Sequence, residues 1–252
     1  MRDFLDAKDD PERLKVWINT ALGEVWKEGK EIGDVDKLLE RRENYTADLA
    51  PYGAVVITAG VDVQDDRLEC EIIAWGSGNE NWSLEYKIFP GDPSTGELWK
   101  TLDDFLMKTY SHESGLKLRI VAAGIDTGGH HTKQVYAFCK QRLGRRIFAL
   151  KGDGGQGKPL ASRPSKNNAG QVNLYRVGVD TAKDTIAANL GKAEPGPGYC
   201  HFPAGYDRGY FEQLLSERPL IKRVRGQRVR SWQPKKSGLR NEALDCRVYS
   251  MA

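Results

Sequence analysis

Two aspartates of this 252-residue chain stand where strand-like runs end. Gly60-Val-Asp62 and Gly124-Ile-Asp126 each place a carboxylate at the C-terminal end of an apolar run, with a glycine two residues earlier. Alternate residues of a strand point to the same face, so each glycine should leave space beside its carboxylate. A buried-strand aspartate is costly unless it turns to solvent, caps a backbone group or binds a cation. We therefore expect room for an ion or a phosphate beside both aspartates.

A third acid lies far downstream in the sequence. Asp245 falls in the first turn of a predicted last helix, where the helix dipole favours a carboxylate. Each acid alone would be an ordinary strand-end or helix-start residue, but together they suggest a site. Three carboxylates on two adjacent strands and one helix can hold two divalent metals about 4 Å apart, one to activate water and one to stabilise the leaving oxygen of a phosphodiester.

Strand and helix patterns that would position these acids alternate along the chain. Val55 to Val63 shows a period of two, a turn follows, and residues 119–126 are apolar on both faces, as in a covered central strand. Further strands are predicted at 68–75, 82–89, 146–150 and 172–179, and helices at 98–106, 135–139, 181–190, 211–215 and from Asn241 onwards. This order predicts an α/β fold with a mixed β-sheet flanked by helices.

Residues 1–50 differ in pattern from the rest of the chain. Apolar residues recur at helical spacing after Pro11, from Leu14 to Trp26, and residues 35–42 suggest a second, short helix. The stretch has too few apolar residues to fold alone. We therefore predict an N-terminal helical linker segment at 1–50 and a main domain at 51–252.

The formal net charge of +3 hides an uneven distribution of charge. The residues from Lys151 onwards include 18 Lys and Arg but 9 Asp and Glu, so the first 150 residues are net acidic. Nine basic residues and no acidic residue lie from Arg218 to Arg240, in a segment that could form a hairpin across Gly226. Such a run is typical of a surface that meets phosphate, although a solvated charged hairpin has the same composition.

Several classes of protein are not expected from the composition. The chain has no run of about 18 apolar residues, and its first ten residues lack the apolar stretch of a secretory signal, so neither a membrane-spanning nor an exported protein is indicated. Cys70, Cys139, Cys200 and Cys246 stand far apart without a CxxC pair, which predicts neither a zinc site nor a disulfide framework. We expect reduced thiols in a cytosolic protein.

One glycine-rich motif fits a nucleotide-binding pattern only in part. Residues 152–158 have the spacing GxxxxGK, but Pro159 replaces the Ser or Thr that would bind magnesium, and no convincing helix follows. We therefore predict no ATP hydrolysis by this chain. The stretch 152–170, rich in Gly, Pro, Ser and Asn, is instead predicted to be a functional loop near the active site.

Four segments resemble, in order and spacing, the nuclease domain of lambda-type phage terminase large subunits. They run from Ala59 to Glu69, Gly124 to Tyr136, Phe148 to Gly152 and Arg240 to Cys246. The resemblance extends over roughly residues 10–252, and residues 10–50 resemble the segment that joins the two domains in that family. It implies an RNase H-like fold and the C-terminal part of a protein whose N-terminal ATPase pumps DNA into the procapsid.

The resemblance also assigns roles to the three acids. It implies that Asp62, Asp126 and Asp245 are catalytic and bind two Mg²⁺ or Mn²⁺ ions. In several related terminases the middle acid is Glu, so Asp126 departs slightly from the pattern. The implied activity is endonucleolytic cutting of concatemeric double-stranded viral DNA in the host cytoplasm. The implied partners are the terminase ATPase domain, the small terminase subunit and the portal protein, with no membrane.

Other residues are weaker candidates. We expect DNA contacts from the end of one strand and from the basic segment, at Lys151, Lys222, Arg223, Arg225, Arg228 and Arg230. His130 and His131 could orient water or contact DNA, but histidines in a Gly-containing loop are more often simply exposed. Asp65, Asp66 and Glu69 could support the site, although the first two are typical turn residues.

Two other readings of the same residues stay open. Another RNase H-like nuclease, such as a junction resolvase or an integrase-type recombinase, would use the same acids on branched DNA or a different substrate. A noncatalytic module could use the basic surface only to hold DNA or to dock on the portal. The residues alone do not distinguish site-specific from nonspecific cutting, magnesium from manganese, or one oligomeric state from another.

Overall fold

The computed structural model describes residues 33–167, 172–224 and 227–252, together with Trp17, Thr20 and Ala21. Most of the helix predicted after Pro11, part of the predicted loop, and the hairpin tip at Arg225 and Gly226 lie outside the described residues. The side chains of Lys222 and Arg223 lie outside them as well. The chain divides into two units, Met1–Glu31 and Ile32–Ala252, and the second contains the β-sheet and its helices.

Thirteen strands and six α-helices are found in the described residues from 33 onwards. The strands are β1 (Arg42–Glu43), β2 (Leu49–Ala50), β3 (Val56–Val63), β4 (Arg67–Trp75), β5 (Asn81–Pro90), β6 (Thr109–His112), β7 (Lys117–Asp126), β8 (Ile147–Asp153), β9 (Ser165–Asn167), β10 (Val172–Gly178), β11 (Cys200–Pro203), β12 (Glu217–Val224) and β13 (Gln227–Pro234). The helices are α1 (Val35–Glu40), α2 (Gly96–Leu106), α3 (Thr132–Gln141), α4 (Val179–Leu190), α5 (Arg208–Leu214) and α6 (Glu242–Met251).

A large mixed sheet forms the centre of the unit. Its main path, in the described residues, runs β1-β11-β5-β4-β3-β7-β8-β10-β9, and β2 and β6 extend it beside β7. Strands β3, β4 and β5 are an antiparallel meander, whereas β3, β7, β8 and β10 are parallel. The carboxyl ends of these four parallel strands therefore meet at one edge of the sheet, which we call the carboxyl edge.

Helices cover both faces of the sheet. Alternate residues of β3, namely Ile57, Ala59 and Val61, belong to the core that contains the buried stripes of α2 and α3. A second core joins α4, α5 and α6. Thr58, Gly60 and Asp62 lie on the opposite face of β3, because successive residues of a strand alternate. Hence the first aspartate of the sequence pattern faces the layer that contains α6.

The predicted α/β fold with a mixed sheet is confirmed, and the longer predicted strands and helices are found within a few residues. The strands β1, β2, β6 and β11 were not predicted, because two to four residues are too few to show a period. The prediction of a loop from 152 to 170 is wrong in part. Strand β8 continues to Asp153, and Ser165–Asn167 pairs with β10 as an edge strand.

The described part of the predicted linker, residues 33–50, contributes to the main unit. Helix α1 forms as the sequence predicts, and the side chain of Asp34 caps it by accepting a hydrogen bond from the backbone N–H of Asp36 at 2.9 Å. Strand β1 pairs with β11, and Arg41 donates hydrogen bonds to the carbonyls of Leu190 and Cys200. The division of the chain at residue 50 into linker and nuclease stays a prediction.

Candidate active site

The two glycines of the Gly-x-Asp pattern lie against helix α6. A Cβ atom on Gly60 would be 1.8 Å from the carbonyl oxygen of Cys246, and one on Gly124 would be 2.7 Å from that of Tyr249. Only glycine allows a backbone to approach this closely. The expectation that these glycines leave room for an ion or a phosphate is therefore wrong. They make room for α6, and the close packing brings Asp245 to the strands.

Asp62 is the penultimate residue of β3 and is a buried carboxylate with 4% of its surface exposed. The Gln64 side-chain amide donates a hydrogen bond to its Oδ2. Burial, reinforced by the negative charge of Asp245 and then of Asp126, raises the pKa of Asp62 to about 8, against the opposing hydrogen bond from Gln64. An acid in this state is short of compensating positive charge.

Asp126 ends β7, next to β3 in the sheet. The hydroxyl of Tyr249, on α6, donates a hydrogen bond to its Oδ1 at 2.8 Å. Burial raises the pKa of Asp126, while the Tyr249 hydroxyl, the backbone N–H groups of Gly128 and Thr127, and the charge of Lys151 act in the opposite direction. The carboxylate is thus held by neutral donors.

Asp245 lies in the first turn of α6, as the sequence predicts, and shares a lysine with a second acid. The ammonium of Lys183, on α4, lies 3.1 Å from Asp245 Oδ1 and 2.8 Å from Glu217 Oε1. Asn241 donates a hydrogen bond to Asp245 Oδ2 at 2.8 Å and another to Glu217. Asn241 is the N-cap residue of α6, but its side chain binds these two acids and makes no capping hydrogen bond to the helix. Burial raises the pKa of Asp245, and Lys183 opposes that rise.

The three predicted acids thus influence one another electrostatically at the carboxyl edge. Asp245 and Asp126 both raise the pKa of Asp62, and Asp126 raises that of Asp245. Their donor set is all oxygen, the kind that Mg²⁺ and Mn²⁺ prefer. Within the described residues, however, no three His, Cys, Asp or Glu side chains are grouped so as to hold one ion directly. The donor chemistry fits a divalent cation, while Lys183 and Tyr249 engage two of the acids.

Sequence reasoning missed Lys183, Glu217 and Tyr249. Lys183 and Tyr249 each contact an acid from a different element, and nothing in their local sequence marks that contact. Lys183 is a buried lysine, and the charges of Asp245 and Glu217 raise its pKa against the effect of its burial. A buried lysine within an apolar helical pattern is the one signal that could have indicated it.

Lys151 and His130 were also predicted from the sequence to lie near the acids. Lys151 is exposed and directly follows Leu150, which pairs with Asp126. Its positive charge opposes the rise in the pKa of Asp126. His130 is exposed and its Nδ1 lies 2.9 Å from Asp65 Oδ1, so the loop after Asp126 meets the turn after Asp62. Lys151 thus lies close enough to influence Asp126, whereas His130 is held by Asp65.

Glu69 is not available as a further metal ligand. It is fully buried, and Arg67, Arg240 and the Tyr86 hydroxyl all contact its carboxylate. Both arginines also contact Glu242, at the start of α6. This network of two arginines and two glutamates fixes the start of α6 against β4.

The basic segment forms a two-stranded hairpin of β12 and β13, as predicted. Arg230 makes two hydrogen bonds to the carboxylate of Asp184 on α4, at 2.6 and 2.7 Å, and Trp232 donates a third at 2.8 Å. Arg230 was expected to contact DNA, but here it fixes the hairpin to α4. Arg228 is exposed near the tip.

Residues 152–159 do not form a nucleotide-binding loop. Gly152 and Asp153 belong to β8, no helix begins in residues 158–167, and Lys158 pairs with Asp153. Cys70, Cys139, Cys200 and Cys246 are buried free thiols, as the sequence predicts. In the described part of the chain, no helix is both long and apolar enough to cross a membrane.

Comparison of the sequence with known proteins identifies the family of this chain. Residues 1–252 match the family described as terminase large subunit gpA, endonuclease domain. The chain belongs to this family. It is 36% identical over 261 residues to the terminase large subunit of Escherichia phage lambda and 34% identical to that of Enterobacteria phage P21, and these matches cover 100% and 99% of the chain. It spans 40% of the length of each relative.

A solved structure supports the fold. The chain matches a mutant nuclease domain of the large terminase subunit gp2 of bacterial virus Sf6, determined with manganese and β-thujaplicinol. The TM-score is 0.52 at 12% identity, and the match covers 88% of this chain and 99% of the Sf6 domain. This terminase endonuclease-domain chain therefore has the RNase H-like fold that the sequence resemblance implies.

Proposed function

We propose that this chain is a metal-dependent endonuclease that cuts concatemeric viral DNA during genome packaging. The observation that carries the proposal is the convergence of Asp62, Asp126 and Asp245 at the carboxyl edge, in a chain of the terminase endonuclease family. Asp126 raises the pKa of both other acids and Asp245 raises that of Asp62, so a cation would stabilise this group. The Sf6 domain was crystallised with manganese, which is consistent with such a cation.

Asp62, Asp126 and Asp245 would hold two Mg²⁺ or Mn²⁺ ions. Such ions supply an activated water and charge stabilisation for the leaving oxygen of a phosphodiester. The chain's own contribution is to fix the three carboxylates on two strands and a helix that the two glycines hold together. Gln64, Tyr249 and Lys183 set the direction of one acid each.

Lys151 and the hairpin would receive the DNA. The acids repel a phosphate backbone when no cation is present, so positive charge near them is needed to bring the backbone within reach. Lys151 lies in β8, one residue after the partner of Asp126, and the hairpin lies against α4, which also carries Lys183. Lys222, Arg223, Arg225 and Arg228 stay our candidates for phosphate contacts on the hairpin.

The wider biological setting extends the proposal beyond this chain. Since the chain spans 40% of its relatives, an ATPase domain would be supplied by another part of the protein, and we expect no ATP hydrolysis here. The small terminase subunit would direct the cut to its site, and the portal protein would receive the complex in the host cytoplasm. Alone, the chain should cut duplex DNA with little sequence preference, because phosphate contacts carry no sequence information.

The test is a plasmid-nicking assay with Mg²⁺, with Mn²⁺ and with EDTA. Asp62→Asn, Asp126→Asn and Asp245→Asn should each lower the cleavage rate by about 10³-fold or more, because each removes one ligand of the shared site. Asp104→Asn, a change of an exposed acid on α2, is the matched control and should leave the rate unchanged. Circular dichroism of each variant separates lost chemistry from lost folding.

Two results would contradict this proposal. Undiminished cleavage by one of the three variants would remove that acid from the site. If the wild-type chain binds duplex DNA but never cuts it with either metal, the hypothesis of a noncatalytic DNA-binding module is correct. A substrate panel of linear duplex and four-way junction separates the remaining alternative, since a resolvase would prefer the junction.

A further inference from the structure

A concave surface lies at the edge of the sheet opposite the acids. A groove of about 530 Å³ lies where β7 and β8 begin. We call it the amino-edge groove, and it is lined by Leu106, Met107 and residues 119–123 and 144–147. Arg119 lies seven positions before Asp126 on the same strand, so the groove is roughly 23 Å from the acids at the usual rise per residue. An occupant of the groove would leave the acids accessible.

One wall of the groove is an incompletely paired strand. Ile120 and Ala122 of β7 pair with Ile57 and Thr58 of β3, with a register shift between them that leaves Val121 without a partner in β3. Strand β8 joins β7 only from Ala123 onwards, and β6 ends its pairing at Arg119. In the described residues, therefore, no strand lies on the second side of 120–122. Arg146, with a φ of 57°, turns the chain into β8, and its carbonyl accepts a hydrogen bond from the N–H of Ala123 at 3.0 Å. Such a short open edge can pair with an added strand.

The charged residues that line the groove are all positive. Its lining contains Arg119, Arg145 and Arg146 and no acidic residue. All three arginines are exposed, and Arg145 also contacts Asp103 of α2 at 2.6 Å. This arrangement favours a negatively charged occupant.

Apolar atoms form the rest of the groove. Leu106, Ile120 and Ile147 line it, and the Met107 side chain is 55% exposed at its rim. Leu143, which immediately precedes the lining residue Gly144, is 50% exposed. A phosphate backbone gains nothing from apolar contacts or from a strand edge, whereas an extended peptide uses both.

We propose that the amino-edge groove binds an extended, acidic segment of a partner protein, which adds as a short strand beside residues 120–122. Backbone hydrogen bonds to the open edge would provide register, the arginines would pair with carboxylates, and apolar side chains would contact Met107 and Ile120. The partner thus attaches at one edge of the sheet while the acids at the other edge are available for cutting.

The first test uses a fluorescent pentapeptide probe, Glu-Val-Asp-Val-Glu with blocked ends, and the full chain in EDTA. We expect saturable binding in fluorescence polarisation, and Arg119→Ala/Arg146→Ala should weaken it by about tenfold. Arg163→Ala, a change of an exposed arginine elsewhere, is the matched control. A Lys-Val-Lys-Val-Lys peptide should not bind.

The second test asks whether the backbone edge is used. The same acidic peptide with N-methyl groups on its central residues keeps its charge but cannot form a strand, and it should bind at least about tenfold more weakly. Hydrogen exchange of the backbone amides in 120–122 should slow only with the unmethylated peptide. Nicking of free plasmid by the double arginine variant should equal that of the wild type.

Three outcomes would overturn the inference. Failure of the acidic peptide to bind removes the site, and equal binding of the N-methylated peptide removes the strand addition. If a 12-base-pair duplex displaces the peptide, and the double arginine variant loses duplex affinity equally, the groove is a nucleic-acid surface instead. The nicking assay of the three aspartate variants is independent of each result, so this inference and the proposed function fail separately.

Discussion

Helix α6 carries a buried arginine and, two residues earlier, a half-buried aspartate, and their surroundings differ. Arg247 is 1% exposed and contacts Glu71, Asn81, Ser83 and Tyr210. Asp245 lies among like charges, and Lys183 is shared between it and Glu217. One cluster pairs its charge with protein groups, whereas the other leaves negative charge in excess.

This difference in charge compensation distinguishes the structural cluster around Arg247 from the candidate site around Asp245. Glu71 Oε1 accepts hydrogen bonds from Ser83 at 2.9 Å, Tyr210 at 2.6 Å and Arg247 at 3.1 Å. Burial raises the pKa of Glu71, and these three groups oppose that rise. Asp62, by contrast, has one side-chain hydrogen-bond donor among the described residues, the neutral Gln64, and the nearby charges of Asp245 and Asp126 raise its pKa further. Buried charge that the chain does not compensate is costly for folding and is retained where a ligand compensates it.

The largest expected effect concerns the compensated cluster. Arg247→Met should lower the free energy of unfolding by about 3–5 kcal/mol, because it leaves Glu71 as a buried carboxylate without its cation. Urea unfolding at neutral pH measures the loss. Adding Glu71→Gln should restore a good part of it, since both charges are then gone. A loss under about 1 kcal/mol for Arg247→Met would mean that Glu71 is already neutral in the folded chain.

The next effect concerns pH and the uncompensated acids without metal. The pKa of Asp62 is raised to about 8 in the folded chain, so between pH 4 and 8 the folded state holds a proton that the unfolded state has lost. Stability therefore declines as pH rises through this window, by up to about 1.4 kcal/mol per pH unit from Asp62 alone. Asp62→Asn should flatten the decline.

Thermal or urea unfolding in EDTA at a series of pH values measures this decline. Mg²⁺ should also reverse it in the wild type, because a bound cation replaces the proton. The informative comparison is Asp104→Asn, which should keep the full pH dependence. The same slope in Asp62→Asn as in the wild type would show that Asp62 is ionised throughout.

A smaller effect should follow from Lys183. Lys183→Gln removes the cation shared by Asp245 and Glu217, so the site becomes more negative and should bind Mn²⁺ by about tenfold more tightly. Metal-free stability should fall, because the buried carboxylate of Glu217 and the half-buried carboxylate of Asp245 lose their partner. Calorimetric titration with Mn²⁺ measures the affinity, and Lys183→Arg tests whether the charge alone matters. Weaker Mn²⁺ binding in Lys183→Gln would mean that the lysine positions Asp245 for the metal.

The smallest effect concerns the hairpin. Arg230 is compensated by Asp184, so Arg230→Ala should leave the slope of log affinity for DNA against log salt nearly unchanged. Lys222→Ala should reduce that slope by about 0.9, the value for one phosphate contact. Binding to one duplex at several salt concentrations compares the two variants directly. Equal reductions would show that Arg230 exchanges Asp184 for phosphate when DNA binds.

The sequence predicts the acids well because local patterns mark them. Asp62 and Asp126 follow apolar runs, and Asp245 stands at a helix start, so each carries a signal within a few residues. Lys183 and Tyr249 have no such signal, because their contacts with the acids depend on how α4 and α6 pack on the sheet. Whether the three acids are catalytic stays a prediction for the aspartate variants to test.

Two interpretations from the sequence left out the same kind of contact, and whether Arg230 also contacts DNA stays a prediction. Gly60 looks like an empty neighbour along its own strand, but a helix backbone fills the space from another part of the chain. Arg230 looks like a free cation within a basic run, but Asp184 lies 46 residues earlier and binds it. Space and charge beside a residue are decided by tertiary contacts, which a pattern of neighbours does not contain.

The burial of the four cysteines has a practical consequence for labelling. Burial raises the pKa of the Cys139 thiol to about 12 and that of the Cys70 and Cys246 thiols well above its usual range. Alkylating reagents need an accessible thiolate, so the folded chain should react slowly at neutral pH. A cysteine placed at Val229, whose side chain is 41% exposed on β13, would then take a fluorophore selectively. Fluorescence from a label at position 229 would then report on the hairpin during DNA binding, without the native cysteines having to be removed.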